Sequence, residues 1–150
     1  MPKDKSKRKK PRKRQPVWLR EEDFEVRPSS IPGIGYGLFA RTRIRKGDMI
    51  GHYTGKQLTE EEANSEPYVN SRYLVWICND WYVDAEGPRG NYTRYINHSA
   101  TPNTELLTSV RWRTAAIRAL KRIEPGEELF FDYGDEYWEV LGENVRERNG

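Results

Sequence analysis

The sequence predicts a mostly β protein that is built of small sheets and has few short helices. Short runs rich in β-branched and aromatic residues recur along the chain, as expected for strands. Gly, Pro, Asn and Asp form turn signals about every 8–12 residues between these runs. Helix signals are scarce. The clearest is a capping box, in which the Thr59 and Glu62 side chains each accept a hydrogen bond from the other's backbone N–H.

The predicted elements follow one another in chain order. The strands are residues 24–27, 38–41, 49–53, 73–78, 81–83, 106–109, 112–120 and 128–132. Turns or loops are predicted at residues 28–37, 45–48, 79–80, 87–90 and 124–126. A terminal helix is predicted to start within residues 137–141, and Trp18 is expected to mark where packing begins.

The first fourteen residues differ from the rest of the chain in charge. They contain nine Lys or Arg against one acidic residue, Asp4, which is a net charge of +8. The whole chain carries +3, so residues 15–150 carry the difference, −5. A block of like charge cannot bury apolar surface, and we expect residues 1–16 to form a disordered basic tail. The folded domain is then predicted over residues 17–142, with a polar tail over 143–150.

Cys78 is the single cysteine of the sequence. One thiol permits neither an intrachain disulfide nor a zinc cluster of cysteines, and no metal site is expected. The sequence has no apolar run of membrane-spanning length and no signal-peptide core. We therefore expect an intracellular protein without membrane contact.

Three motifs carry the functional information. Residues 33–37, with the sequence GIGYG, can reach positive φ and approach a ligand closely, although an ordinary tight loop has the same composition. Residues 94–103 form a polar, turn-forming run between apolar flanks, whose Asn97 and His98 could also simply satisfy buried backbone groups. Residues 127–134 form a short β-prone run that contains Tyr133. A tyrosine at the end of a strand is commonly a core residue whose hydroxyl forms a hydrogen bond, and Tyr133 could be of this kind.

In this order and spacing, the three motifs resemble the signature of SET-domain protein-lysine methyltransferases, over roughly residues 24–138. The resemblance implies a β-clip fold, in which the C-terminal segment threads under a preceding loop as a pseudoknot. It also implies methyl transfer from S-adenosylmethionine to a lysine ε-amine, without a metal. Cysteine-rich zinc segments are absent from the sequence, and Ala100 stands where many members have Cys. The chain therefore resembles the minimal, zinc-free members of viral and bacterial type.

The resemblance also implies roles for individual residues. The catalytic residues would be Tyr133 and Tyr53. The cofactor-binding residues would be Gly33, Ile34, Gly35, Tyr36, Arg94, Asn97, His98, Tyr133 and Trp138. The substrate channel would be lined by Tyr53, Tyr73, Leu106 and Phe131. Trp138 could pack on the adenine or cap the core. Phe at position 131, where some members have Tyr, implies a capacity for di- or trimethylation.

The expected partner is a lysine-rich protein such as a histone or a nucleoid protein, which the acidic domain would attract. For residues 3–14 three hypotheses stay open: nonspecific nucleic-acid contact, a nuclear localisation signal, or a segment that the enzyme methylates on itself. A homodimer is compatible with the resemblance, since minimal members can pair. The location would be cytoplasm or nucleoid in a bacterium and the nucleus in a eukaryote or for a virus. The alternative function is a catalytically silent SET-like module that binds chromatin or nucleic acid.

Overall fold

The computed structural model describes residues 14–132, which contain ten short strands and one four-residue helix. The strands are β1 (Phe24–Pro28), β2 (Tyr36–Ala40), β3 (Met49–His52), β4 (Lys56–Leu58), β5 (Leu74–Cys78), β6 (Trp81–Asp84), β7 (Asn97–His98), β8 (Thr104–Ser109), β9 (Thr114–Ala119) and β10 (Phe130–Phe131). The helix α1 is Glu60–Ala63, and 3₁₀ turns cover Glu21–Asp23 and Tyr92–Tyr95. The prediction of a mostly β fold is confirmed.

The strands form several small sheets instead of one continuous sheet. β1 pairs antiparallel with β2, β9 lies between β3 and β8, and β6 lies between β4 and β5. β7 and β10 form a parallel pair of their own. Apolar residues from these sheets meet in one core, whose fully buried members include Leu38, Ile50, Ile117, Leu129 and Phe131. The predicted architecture of small sheets is therefore also confirmed.

Local sequence signals explain several elements. The predicted capping box begins α1: the Glu62 N–H donates to Thr59 Oγ1 at 3.2 Å, and the Thr59 N–H donates to Glu62 Oε1 at 3.2 Å. The predicted hairpin of β5 and β6 turns at Asn79, whose φ of 48° lies in the left-handed region that Asn tolerates.

Other boundaries differ from the prediction. The strand predicted over residues 112–120 begins only at Thr114, because the turn between β8 and β9 needs Arg113 at a φ of 50°. Trp112 is a β-prone residue, but it lies in this turn and is 70% exposed. The strand predicted over residues 128–132 is shortened to β10, and β4 and β7 were not predicted.

The parallel pair of β7 and β10 joins two of the sequence motifs. Phe130 lies beside Asn97 and Phe131 beside His98. Parallel strands cannot be joined by a tight hairpin, so the chain leaves β7, forms the β8–β9 hairpin and then returns beside β7. Asn103 holds the returning segment: its Nδ2 donates to the Glu128 carbonyl and its Oδ1 accepts from the Phe130 N–H, both at 2.8 Å.

Residues 14–19 run beside the start of β3. The Met49 N–H donates to the Val17 carbonyl and the Leu19 N–H donates to the Met49 carbonyl, both at 2.9 Å. Arg14, which lies within the predicted tail, donates from its guanidinium to Asp48 Oδ1 at 2.8 Å. Residues 1–13 and 133–150, with the predicted terminal helix, lie outside the described residues.

No helix in residues 14–132 combines the length and the apolar character needed to cross a membrane. Over the same residues, no group of three or more His, Cys, Asp or Glu side chains is arranged to hold a metal ion.

Candidate active site

The glycine loop, residues 29–36, runs from the end of β1 to the first residue of β2 and contains most of the first motif. The Ser29 N–H donates to the Gly35 carbonyl at 2.8 Å, which closes the loop on itself. Gly33 and Gly35 have φ values of 78° and 97°, which residues with a Cβ rarely adopt. Ile34 and Tyr36 are 44% and 60% exposed. The loop therefore presents an apolar surface on a backbone conformation that requires glycine.

Asn97 connects the glycine loop to the rest of the site. Its Nδ2 donates to the Tyr36 carbonyl at 2.9 Å and to Glu128 Oε2 at 3.2 Å. Since Tyr36 belongs to the first motif, Asn97 to the second and Glu128 to the third, these two hydrogen bonds bring all three motifs together. Asn97 thus lies beside the glycine loop, and its implied role in cofactor binding stays a prediction.

Glu128 is a buried carboxylate that the sequence analysis did not single out. Its Oε1 accepts from the Ser30 N–H at 2.7 Å and from Ser30 Oγ at 2.8 Å, and its Oε2 accepts from Ser29 Oγ at 2.8 Å. A Cβ at Gly37 would lie 2.5 Å from Oε2, so this position has no room for a side chain. The sequence signal that could have identified Glu128 is its place directly before the apolar run 129–131, where an acidic side chain lies next to the core.

His98 is buried next to Asn97 and pairs with β10. Burial lowers the pKa of its imidazole, and the nearby carboxylate of Asp132, 3.8 Å from Nδ1, opposes this shift without cancelling it. The side chain is therefore neutral at pH 7. A neutral imidazole can serve as both hydrogen-bond donor and acceptor.

Arg94 lies between two aromatic rings. Its guanidinium carbon is 4.9 Å from the ring centroid of Tyr95 and 5.5 Å from that of Tyr73. Its Nη2 donates to the Tyr95 hydroxyl at 2.9 Å. The two tyrosine rings meet edge to face with centroids 6.1 Å apart. Arg94 thus contacts Tyr73, one of the predicted channel residues, by a cation–π contact, and it holds the neighbouring Tyr95 by a cation–π contact and a hydrogen bond.

Three predicted channel residues form an aromatic group that is connected through Tyr53, which meets the ring of Phe131 and the backbone of Tyr73. The hydroxyl of the buried Tyr53 donates to the Tyr73 carbonyl at 2.9 Å, and its ring meets the fully buried Phe131 ring edge to face at 6.4 Å. Leu106 lies on β8, half-buried and packed against the same core. The implied catalytic role of Tyr53 stays a prediction.

A sequence model of the SET domain matches residues 35–134. The chain belongs to the SET-domain family. It is 36% identical over 105 residues to the histone-lysine N-methyltransferase MEDEA of Arabidopsis thaliana, and this alignment covers 66% of this chain and 15% of that protein. It is also 36% identical over 107 residues to the H3 lysine-36-specific histone-lysine N-methyltransferase of Mus musculus, and this alignment covers 66% of this chain and 4% of that protein.

Solved structures show the same fold. The crystal structure of the Chaetomium thermophilum polycomb repressive complex 2 has a TM-score of 0.67 and 32% identity, over 75% of this chain and 15% of that one. The structure of ctPRC2 in an autoinhibited conformation bound to S-adenosylmethionine has a TM-score of 0.64 and 29% identity, over 84% of this chain and 17% of that one. The chain thus spans only a small part of the length of these relatives.

In this SET domain, the predicted cofactor residues fall into two groups. The glycine loop and Asn97 are in direct contact, and His98 follows Asn97 in β7. Arg94 instead lies with the aromatic residues of the predicted channel. Tyr133 and Trp138 lie outside the described residues.

Proposed function

We propose that the protein is an S-adenosylmethionine-dependent protein-lysine N-methyltransferase. The observation that carries this proposal is the meeting of the three motifs at Asn97, with the aromatic group of Tyr53, Tyr73 and Phe131 in the same domain. The names of the relatives, which are histone-lysine N-methyltransferases, support it.

The residues on the glycine-loop side fit this cofactor. S-adenosylmethionine combines an adenosine, whose flat adenine ring has apolar faces, with a charged amino acid, and it supplies the activated methyl group when bound. Ile34 and Tyr36 offer exposed apolar surface. Asn97 directs its Nδ2 at two acceptors, which leaves its Oδ1 as an acceptor for a cationic amino group. His98 would add an uncharged polar group.

The aromatic group would prepare the lysine. A lysine amine has an ordinary pKa of about 10.4 and is almost fully protonated, hence not nucleophilic, at pH 7. Aromatic walls remove water from the amine, which lowers its pKa, and they hold the nitrogen in line for attack on a methyl carbon. The hydrogen bond from Tyr53 to the Tyr73 carbonyl and the contacts of Arg94 with Tyr73 fix two of these walls. Tyr133 is proposed as the catalytic tyrosine and Leu106 as a further part of the channel.

A basic protein such as a histone or a nucleoid protein is the proposed substrate. Acidic side chains around α1 support this choice, because they would attract Lys and Arg. Thr59, Glu60, Glu61, Asn64 and Asp80 line an open hollow of about 460 Å³ there. Nucleic-acid contact through residues 3–14, a homodimer and the cellular location stay predictions.

Calorimetry with S-adenosylmethionine, combined with radiolabelled methyl transfer to mixed histones, tests the proposal. We expect the wild-type protein to bind and to label lysine, and Asn97→Ala to lose binding. The exposed Asn64, at the end of α1, provides a matched control, Asn64→Ala, which should bind like the wild type.

Two other results would change the proposal. A folded wild-type protein that does not bind S-adenosylmethionine would exclude the methyltransferase and favour the silent binding module. Binding without transfer would retain the cofactor site and exclude histones as the substrate.

A further inference from the structure

The Glu128 carboxylate lies at the centre of a set of four hydrogen-bond donors. These are Ser29 Oγ, the Ser30 N–H, Ser30 Oγ and Asn97 Nδ2, at 2.7–3.2 Å. An ionised carboxylate only accepts hydrogen bonds, so it satisfies all four donors without conflict. A neutral amide of the same shape would turn an NH₂ group toward at least one of them.

The same carboxylate determines how the Asn97 amide is oriented. Both partners of Nδ2, the Tyr36 carbonyl and Glu128 Oε2, are acceptors, so the NH₂ group must face them. The Asn97 Oδ1 is then left for a donor. The Tyr36 carbonyl and the Glu128 carboxylate together therefore set the orientation of the amide.

Among residues 14–132, no cationic side chain forms an ion pair with Glu128. The side chain is only 7% exposed, and within residues 14–132 no Lys, Arg or His nitrogen lies within 4.0 Å of it. Hydrogen bonds from neutral donors offset part of the cost of burying an anion and weaken its field, but they leave its net charge in place. In a buried environment this field is weakly screened and extends over the adjoining glycine loop.

We propose that Glu128 is a specificity-determining residue, which positions Asn97 and the glycine loop and favours the cationic cofactor over its neutral product. This inference rests on the proposed function. S-adenosylmethionine carries a sulfonium charge, whereas the sulfur of S-adenosylhomocysteine, which remains after methyl transfer, is neutral. A buried anion beside the loop stabilises the first ligand more than the second, and so helps product release as well as cofactor selection.

The test compares the dissociation constants of the two ligands, measured by calorimetry, in the wild type and in Glu128→Gln. We expect the preference for S-adenosylmethionine over S-adenosylhomocysteine to fall about tenfold, the size of a weakly screened charge interaction across the loop. Melting temperatures of both proteins establish that the variant is folded. A loss of affinity that is equal for both ligands would overturn the role of Glu128 in specificity, and no loss for either ligand would overturn its positioning role as well.

Two control variants separate charge from geometry. Ser30→Ala removes one hydrogen bond to Glu128 and keeps the charge, so it should weaken both ligands to the same extent. Glu127→Gln removes an equal charge from the exposed neighbour, where water screens it, and should leave the preference within about twofold of the wild type. A change in preference in Glu127→Gln as large as in Glu128→Gln would contradict a specific role for the buried carboxylate.

The experiment needs no protein substrate. If a folded wild-type protein binds neither ligand, the proposed function itself fails. If it binds both ligands and Glu128→Gln retains the preference, only the role of Glu128 fails.

Discussion

Burial sets the protonation of His98, the polar residue that follows Asn97 in β7. Its folded pKa lies below the ordinary value of 6.5, because burial penalises the imidazolium more than Asp132 favours it. The unfolded chain therefore takes up a proton at a higher pH than the folded protein. The contribution of His98 to stability is present above about pH 6.5 and is lost as the pH falls through the folded pKa.

We expect the melting temperature to decline between about pH 7 and 5 in the wild type, and this decline to be smaller in His98→Asn. His52, the other histidine, is exposed and stacks on Trp18, so His52→Asn serves as the control. Thermal scans across this pH range measure the effect. An unchanged pH dependence in His98→Asn would contradict it.

Phe131 is proposed to set the number of methyl groups added. Its ring is fully buried and lies 6.4 Å from that of Tyr53. Phe131→Tyr adds a hydroxyl beside the channel, which occupies space and can bind water, so products should shift toward monomethyl-lysine. Mass spectrometry of the methylated peptide measures this distribution. Phe130→Tyr, on the neighbouring and less buried position of β10, should leave the distribution unchanged. Equal product patterns in Phe131→Tyr and wild type would exclude this role.

Among the elements, the two-residue strands β7 and β10 are too short to be stable alone. Side chains stabilise their pairing: Asn103 contacts the backbone of Glu128 and Phe130, and Thr104 Oγ1 donates to the Phe130 carbonyl at 2.7 Å. These contacts hold the third motif against the second. The position of the site therefore depends on a few buried hydrogen bonds.

Asn103→Ala should destabilise the protein by about 2–4 kcal/mol, because it leaves a backbone donor and a backbone acceptor unsatisfied in a buried site. Urea unfolding monitored by tryptophan fluorescence measures the loss. Asn70→Ala, at an exposed position, should change stability by less than about 0.5 kcal/mol. Equal stability losses in the two variants would contradict the proposed role of Asn103.

For the whole molecule, the contact of Arg14 with Asp48 determines where the basic tail can be removed. Burial opposes ionisation of Asp48, but hydrogen bonds from Arg14 and from the N–H groups of Val17 and Arg45, with the Arg14 charge, lower its pKa below the ordinary 3.8. This contribution to stability is present above about pH 4 and is lost as the pH falls through the lowered pKa.

Removal of residues 1–13 should therefore abolish nonspecific DNA retention while leaving Arg14, the melting temperature and methyl transfer to a peptide intact. Gel shift at several salt concentrations and a peptide methylation assay measure the two activities. Removal of residues 1–16 should in addition lower the melting temperature, because Asp48 loses its ion pair with Arg14. Loss of peptide methylation in a folded protein that lacks residues 1–13 would contradict a separate role for the tail.

Elements with local signals were predictable, and those that depend on distant contacts were not. The α1 capping box and the β5–β6 hairpin follow from residues only a few positions apart. The strand predicted from residue 112 was too long, since the turn before Thr114 overrides the β propensity of Trp112. Glu128 was missed because its partners Ser29 and Ser30 lie 99 and 98 residues away in the chain.

The sequence alone determined the fold class, the three motifs with their family resemblance, and the charge contrast between tail and domain. These properties depend on residue types and on patterns within short segments. The tertiary structure decided that the motifs meet at Asn97, that the Asn97 amide faces Glu128, and that His98 is neutral. Hydrogen-bond partners, burial and pKa values arise from segments brought together by packing, and short-range preferences do not specify which distant segments meet.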